Sequence, residues 1–504
     1  MCHLKVLILL AVTVLVRPNE GYRILCVFPY EGTSHFVMFG TLARELARRG
    51  HQVDVISHFP TTKPITNYTD IVSLRGTRPL MHSNLDVDSA TIMDEQRLDV
   101  LTSAFGSDIC ELMGSYRLQK FIKNPPNDPP YDLVIVEYLA SMCYLGFGRL
   151  LNAPVAIIAT FHDWSTINDF IGNSMNYAFF SGIHNDYAVV RTFFDRVWNF
   201  MISTTVMHQF YYKTSVQTEI MRKYLGSSMP DIRQLEKNVS LALVNAHFSL
   251  HGVRPITPAF VEVGGLHIVL FASTFGDLGA EGLVGLSGPR VSKMLLDLYA
   301  SFAKISPIKV IMKCLNATRL PRGLPSNVIT STWISQAAVL SKVFITHGGL
   351  MGTQEALYYG VPMIGIPVFV DQFKNVNCQM VLCAYSLLSV PSIVILILGI
   401  SSLACIYAVS CFRESAKRLS KVFRDRPMRP LDTAVYWIEY VIRNGPDSLR
   451  SPVVDMPWWK LHLIDVFAFL TSCLALAVYL LIALTKLLLK GLHKGVIERE
   501  KKHN

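Results

Sequence analysis

The chain has 504 residues, enough for two domains with full cores, and 51% of them are apolar. Its formal charge of +10 does not call for a nucleic-acid partner, because part of that charge sits in the carboxyl-terminal tail and no basic stripe interleaved with aromatics accompanies it. The ten cysteines show no CxxC pair and no metal-ligand spacing, so neither a zinc site nor a disulfide framework is predicted.

Residues 1–21 carry Lys5, the apolar run VLILLAVTVLV and then a polar break, the pattern of a secretory signal peptide. A buried first strand is the alternative. Residues 22–29 (YRILCVFP) read as a parallel-sheet strand. Residues 36–49 have helical periodicity, end at Gly50, and lead into the strand HQVDVIS, which together make a βαβ unit. His35 falls in the turn after the first strand, at the start of that helix. Two more strands are predicted at 132–136 (DLVIV), followed directly by Glu137, and at 154–159 (PVAIIA). Residues 163–239 are helix-rich and aromatic. Residues 240–265 hold strands broken by prolines and suit a crossing between two domains.

The most informative stretch is 343–379, VFITHGGLMGTQEALYYGVPMIGIPVFVDQFKNVNCQ. An apolar strand runs into His347-Gly348-Gly349, a helix follows, and a second buried-strand pattern ends at Asp371-Gln372. Polar groups thus stand at the carboxyl ends of two strands, where open α/β sheets bind ligands. The glycines permit close backbone approach, and the helix start offers free N–H groups to an anion. That chemistry suits a phosphorylated donor.

Beyond this stretch, residues 380–412 hold no charge and are long enough to span a bilayer. Residues 466–485 (VFAFLTSCLALAVYLLIALT) are a second uncharged span, followed by a Lys/Arg-rich tail, which predicts a type I topology with the tail in the cytosol. Lys501 and Lys502 resemble a dilysine retrieval signal of the endoplasmic reticulum, or are an ordinary basic flank. Asn67, Asn238 and Asn316 begin glycosylation sequons.

His347-Gly348-Gly349, Glu355, Gly360-Val361-Pro362 and Asp371-Gln372, in one register, closely resemble the signature of the UDP-glycosyltransferases in their membrane-bound animal form, with invertebrate members nearest. The resemblance covers nearly the whole chain. It implies an α/β fold of the GT-B type, two Rossmann-like domains facing across a cleft, plus a carboxyl-terminal transmembrane helix. On that reading the signal is 1–21, the acceptor-binding domain 22–245, the UDP-sugar-binding domain 246–445, the pre-membrane segment 446–465, the span 466–485 and the cytosolic tail 486–504. Segment 380–412 is atypical for such a domain. It is a genuine insertion, a splice variant, or translated sequence that belongs to no working enzyme.

The resemblance also implies roles. Trp333 stacks on uracil and Gln336 bonds the uracil edge or ribose. His347, with the Gly349 backbone, contacts the diphosphate. Glu355 binds ribose, and Asp371 and Gln372 read the sugar hydroxyls. Gly352 stands where many members carry Ser, and the adjacent Thr353 compensates. His35 is the general base that takes a proton from the acceptor hydroxyl, with Glu137 as its carboxylate partner. A second acid often follows a few residues later in the family, where this chain has Met142. The aromatic stretch 164–212 is expected to line a pocket for a small lipophilic acceptor. The implied reaction is transfer of glucose or glucuronate from a UDP-sugar, with inversion and with no metal or cofactor, in a detoxification-type conjugation at the lumenal face of the endoplasmic reticulum membrane. Membrane lipid is an expected partner, nucleic acid is not, and homo- or hetero-association stays open. The rival reading is an impaired or regulatory relative that binds UDP-sugar or associates with active enzymes. A multi-span transporter or receptor would need several more apolar spans.

Overall fold

The computed structural model describes residues 21–78, 97–162, 165–173, 175–181, 190–268, 289–313, 320–331, 343–367, 371–381, 385–387 and 410–503. Met1–Ser451 forms one compact unit and Pro452–Asn504 a second.

The first unit is built on a seven-stranded parallel sheet: β1 (Arg23–Phe28), β2 (Gln52–Ser57), β3 (Tyr68–Ser73), β4 (Leu133–Glu137), β5 (Val155–Ala159), β6 (Val239–Val244) and β7 (Phe260–Glu262). Its strand order is β3-β2-β1-β4-β5-β6-β7. The apolar runs predicted in the sequence are these strands, because a parallel sheet covered on both faces needs apolar residues at successive positions. Alternate residues then feed two cores. Leu25, Val27, Val134 and Val136 lie in one, and Ile24, Cys26, Leu133 and Ile135 in the other.

α1 (Thr33–Arg48) packs on the second of these faces through Phe36, Phe39, Leu42 and Leu46. On the other side of the sheet the chain forms α2 (Ser165–Ile171), α3 (Phe193–Thr214) and α4 (Gln217–Leu225). Further along lie α5 (Pro289–Lys304), two short paired strands β8 (Val310–Lys313) and β9 (Val328–Ser331), and a three-stranded parallel sheet. That sheet consists of β10 (Phe344–Thr346), β11 (Met363–Gly365) and β12 (Tyr385–Leu387), with α6 (Leu350–Tyr359) and α7 (Gln372–Val381) between its strands. The strand–glycine turn–helix–strand unit expected at 343–379 is therefore present. Of the apolar segment 380–412, residues 385–387 pair with β11, and most of the remainder lies outside the described residues.

Two helices close the first unit, α8 (Ser410–Arg424) and α9 (Pro430–Asn444). α9 belongs by sequence to the second half, yet it packs back on α1 and the seven-stranded sheet. Leu431, Ala434, Val435, Ile438 and Val441 are buried there. Arg49 donates to Asp432, and His51 Nε2 lies 3.2 Å from Glu439 Oε1. The second unit contains α10 (Ile464–His503), whose residues Ile464–Gly491 are apolar, exposed and long enough to cross a membrane.

Cys110 and Cys143 form a disulfide, which corrects the reading that found no framework. The two residues are 33 apart in sequence. They meet only because the short turn Asp108–Cys110 packs against the 3-10 turn Met142–Leu145, so no local spacing announces them. Both are fully buried. Replacing both with serine is expected to cost about 2–4 kcal/mol of stability, read as a fall in the unfolding midpoint under non-reducing conditions.

Candidate active site

The chain runs outward from β1 to β2 and β3, then returns to start β4 on the other flank of β1. The β1/β4 boundary is the switch point of the sheet, where the loops leaving two adjacent strands diverge and leave a crevice. His35 lies in the first turn of α1, just after β1, and Glu137 is the last residue of β4. His35 Nδ1 is 2.8 Å from Glu137 Oε1. The other carboxylate oxygen accepts from the Tyr30 backbone N–H at 3.2 Å.

Glu137 is fully buried and His35 keeps a solvent-facing edge. With a carboxylate accepting at Nδ1, the neutral imidazole carries its lone pair on Nε2. The Thr160 hydroxyl lies 3.1 Å from Nε2 and 3.3 Å from Nδ1. Tyr30 and Phe161 meet the ring edge-on at 4.7 and 5.6 Å between centroids. Glu137 and the two flanking rings hold the imidazole in place, and with Nδ1 donating to Glu137 the atom left to take a proton is Nε2.

The second group of residues comes from the three-stranded sheet. Gly348 has φ +87°, and a Cβ there would fall 2.5 Å from Val376 Cγ2, so glycine is required both by conformation and by the close approach of α7. A Cβ on Gly349 would fall 2.5 Å from His347 Nε2, which shows that the His347 ring lies over the start of α6. The start of a helix offers free N–H groups, which suit a phosphate.

Asp371 is buried at the start of α7. Its Oδ2 accepts from Asn375 Nδ2 at 2.7 Å, and the same Nδ2 lies 3.0 Å from the Gly348 carbonyl oxygen. Burial pushes the Asp371 carboxyl up to about 6, against the Asn375 hydrogen bond. Gln372 is buried beside it.

Glu355 is buried on α6 with Oε1 3.4 Å from His267 Nε2. Its Oε2 is buried without a hydrogen-bond donor. A carboxylate oxygen left this way is costly unless a ligand supplies hydroxyls. α6 itself is held by Gln354, which accepts from Gly265 N–H at 3.0 Å and donates to the Asn245 carbonyl at 3.3 Å. Thr353 departs from expectation. It is fully buried and its hydroxyl donates to the Gly349 carbonyl at 3.0 Å, so its proton braces the first turns of α6 and is not offered to a phosphate. Trp333, Gln336 and Asn316 lie outside the described residues. Asn67 and Asn238 are exposed, with Asn67 Nδ2 3.3 Å from the Ala47 carbonyl oxygen.

The sequence reading missed Thr160, Phe161, His267 and Asn375. Thr160 and Phe161 follow directly on β5, so the rule that found His35 and Glu137 at strand ends applied to them as well. It also missed Glu31, a buried carboxyl paired with Arg78 at 3.2 Å and pushed up chiefly by burial. Asp169 accepts from the Tyr211 hydroxyl at 2.5 Å. Met142 is a buried core residue.

Comparison with known proteins gives the family and the fold. The profile of the family described as "UDP-glucoronosyl and UDP-glucosyl transferase" matches residues 23–502. A "UDP-glucosyltransferase 2" of Dactylopius coccus is 32% identical over 92% of this chain and 93% of its own length. A "UDP-glucuronosyltransferase 2B1" of Rattus norvegicus is 26% identical over 95% of each chain. Among solved structures, the glycosyltransferase of kitacinnamycin superposes with a TM-score of 0.53 at 16% identity, over 84% of this chain and all of its own. That likeness is one of fold, the GT-B arrangement.

Proposed function

The chain belongs to the UDP-glucoronosyl and UDP-glucosyl transferase family and is therefore a UDP-sugar-dependent glycosyltransferase, and we propose that it moves glucose or glucuronate to a hydroxyl of a small lipophilic acceptor in one inverting displacement with His35 as base. The observation that carries this reading is the buried Glu137 carboxylate at 2.8 Å from His35 Nδ1, at the switch point of the sheet. The acceptor oxygen attacks the anomeric carbon while its proton passes to His35 Nε2. The bond from that carbon to the diphosphate oxygen breaks, and UDP leaves. Glu137 stabilises the imidazolium that forms. The α6 N-terminus and His347 offset the charge that develops on the diphosphate. Asp371 and Gln372 hold the sugar, and the unpartnered Glu355 oxygen takes ribose hydroxyls.

Purified full-length protein supplied with UDP-glucose or UDP-glucuronate and a panel of phenols tests the reading. The expected result is a β-linked glycoside from an α-linked donor, with UDP released in equal amount. A product of retained configuration would sink the single-displacement mechanism. The impaired or regulatory reading draws support from Gly352 beside the committed Thr353 hydroxyl, and from the uncharged stretch 380–412. UDP binding without turnover would favour it. For location, we infer a type I protein of the endoplasmic reticulum membrane with lumenal catalytic halves. The apolar helix Ile464–Gly491 and the basic tail after it support that topology.

A further inference from the structure

β5 ends at Ala159 and β6 at Val244, yet hydrogen bonds continue past both ends. The Asn245 backbone N–H donates to the Ala159 carbonyl at 3.0 Å, and Asn245 Nδ2 donates to the Thr160 carbonyl at 2.9 Å. A side chain thus adds the rung that the backbone no longer supplies. Thr160 is held by its carbonyl while its hydroxyl stands beside the His35 ring, 3.1 Å from Nε2 and 3.3 Å from Nδ1. Asn245 is fully buried and its Oδ1 has no hydrogen-bond donor, so among the described residues the bond to Thr160 is what fixes its carboxamide.

The Asn245 carbonyl takes a different partner. It accepts from Gln354 Nε2 at 3.3 Å, and Gln354 Oε1 accepts from the Gly265 N–H at 3.0 Å. Gln354 is fully buried, and the backbone presses close around it: a Cβ on Gly264 would fall 3.1 Å from Gln354 Nε2 and 2.5 Å from the Ala246 carbonyl oxygen. The site calls for a carboxamide, which donates to a carbonyl and accepts from an N–H at the same end of one side chain. Glutamate would set a carboxylate against the Asn245 carbonyl. Methionine would fill the volume and leave two buried backbone groups unpaired. Gln354 directly precedes Glu355 on α6, the helix that begins after His347-Gly348-Gly349.

We propose, on the reading of α6 as the donor helix and His35 as the base, that Gln354 is a positioning residue that fixes the spacing between the two. The connection runs from α6 through Gln354, Asn245 and Thr160 to His35. Each link lies at hydrogen-bond distance, and all three linking residues are buried. The donor seats against α6 and α7, and the acceptor hydroxyl beside His35. The line of attack from the acceptor oxygen to the anomeric carbon therefore depends on how these elements are set against each other. A misplacement of about 1 Å, caused far from the chemistry, can cost about 10²-fold in rate.

The test uses full-length protein carrying Gln354→Met or Gln354→Glu. UDP binding is measured by calorimetry, and turnover is measured with a UDP-sugar against a phenol and the matching thiophenol. A thiophenol ionises by itself near neutral pH, so it needs an aligned donor but no base. Both variants are expected to bind UDP as the wild type does, which also verifies their folding. Their kcat should fall about 10²-fold with the phenol and the thiophenol alike. His35→Ala on the same acceptors should lose turnover with the phenol and recover it with the thiophenol, so a failure of the base reading shows in that variant and not in the Gln354 pair. No turnover in the wild-type chain would end the underlying reading and the spacing role with it. Wild-type turnover in both Gln354 variants overturns the proposal. So does UDP binding lost in step with turnover, which would make Gln354 a support of α6 alone. Recovery of the Gln354 variants with the thiophenol overturns it as well, because the defect would then lie in the base and not in the spacing.

Discussion

His35→Ala is expected to lower kcat by roughly 10²–10⁴-fold, the range a positioned general base supplies, while UDP binding stays nearly unchanged. The split follows from position. His35 stands on the seven-stranded sheet, whereas the groups assigned to the diphosphate and sugar stand around α6 and α7. Glu137→Gln makes the sharper test. One carboxylate oxygen is pinned by the Tyr30 N–H, so the carboxamide oxygen should take that place and turn its NH₂ toward His35 Nδ1. Nδ1 must then accept, the ring proton moves to Nε2, and the base presents a proton where it should receive one. Glu137→Gln is therefore expected to approach the His35→Ala level despite its nearly identical shape. Thr160→Val tests the hydroxyl at 3.1 Å from Nε2, and a modest loss is expected, because Thr160 orients the ring and does not exchange its proton. Full turnover in His35→Ala, measured by single-turnover release of UDP, would end the base assignment.

How much of this was legible in the sequence depends on whether a residue's role is set locally. β1, α1, β2, β4 and β5 could be read directly, since an apolar run in a parallel sheet and a helical stripe leave strong periodic marks. Once β1 and β4 were adjacent, His35 and Glu137 had to meet, because both stand at carboxyl-terminal strand ends. Features made by long-range packing left no such mark. Cys110 and Cys143 pair across two turns. α9 returns to a sheet that begins some four hundred residues earlier in the chain. The resemblance assigned Glu355 to ribose, and the structure adds the buried His267 against one of its oxygens. The aromatic stretch after residue 164 was read as a pocket lining. In α3 the aromatic side faces outward, because periodicity defines a stripe but does not say whether protein or another apolar medium covers it.

Asp371→Asn is expected to move stability and activity in opposite directions. Burial raises the Asp371 carboxyl from its ordinary 3.8 to about 6. The folded state thus holds a proton that the unfolded state has released, and stability falls as pH rises from 3.8 through 6. The cost is fully present above that window and absent below it. A rise from 3.8 to about 6 sets an upper bound of about 3 kcal/mol. Asparagine keeps an oxygen for Asn375 Nδ2 and removes the charge, so the variant should unfold at a higher temperature at neutral pH and show a flatter dependence between pH 4 and 6. Catalytically it loses the charged acceptor for sugar hydroxyls. A hydrogen bond to a charged group is worth about 1.5–3 kcal/mol, so kcat/KM for the UDP-sugar should fall roughly 10–200-fold. The same titration governs the wild type, since a bound sugar whose hydroxyls donate to Asp371 favours the ionised carboxylate. Donor affinity should weaken as pH drops below about 6, and that dependence should vanish in Asp371→Asn. A variant less stable than wild type at neutral pH, with donor turnover intact, would mean that Asp371 is a structural carboxylate held by Asn375 and that the sugar is read elsewhere.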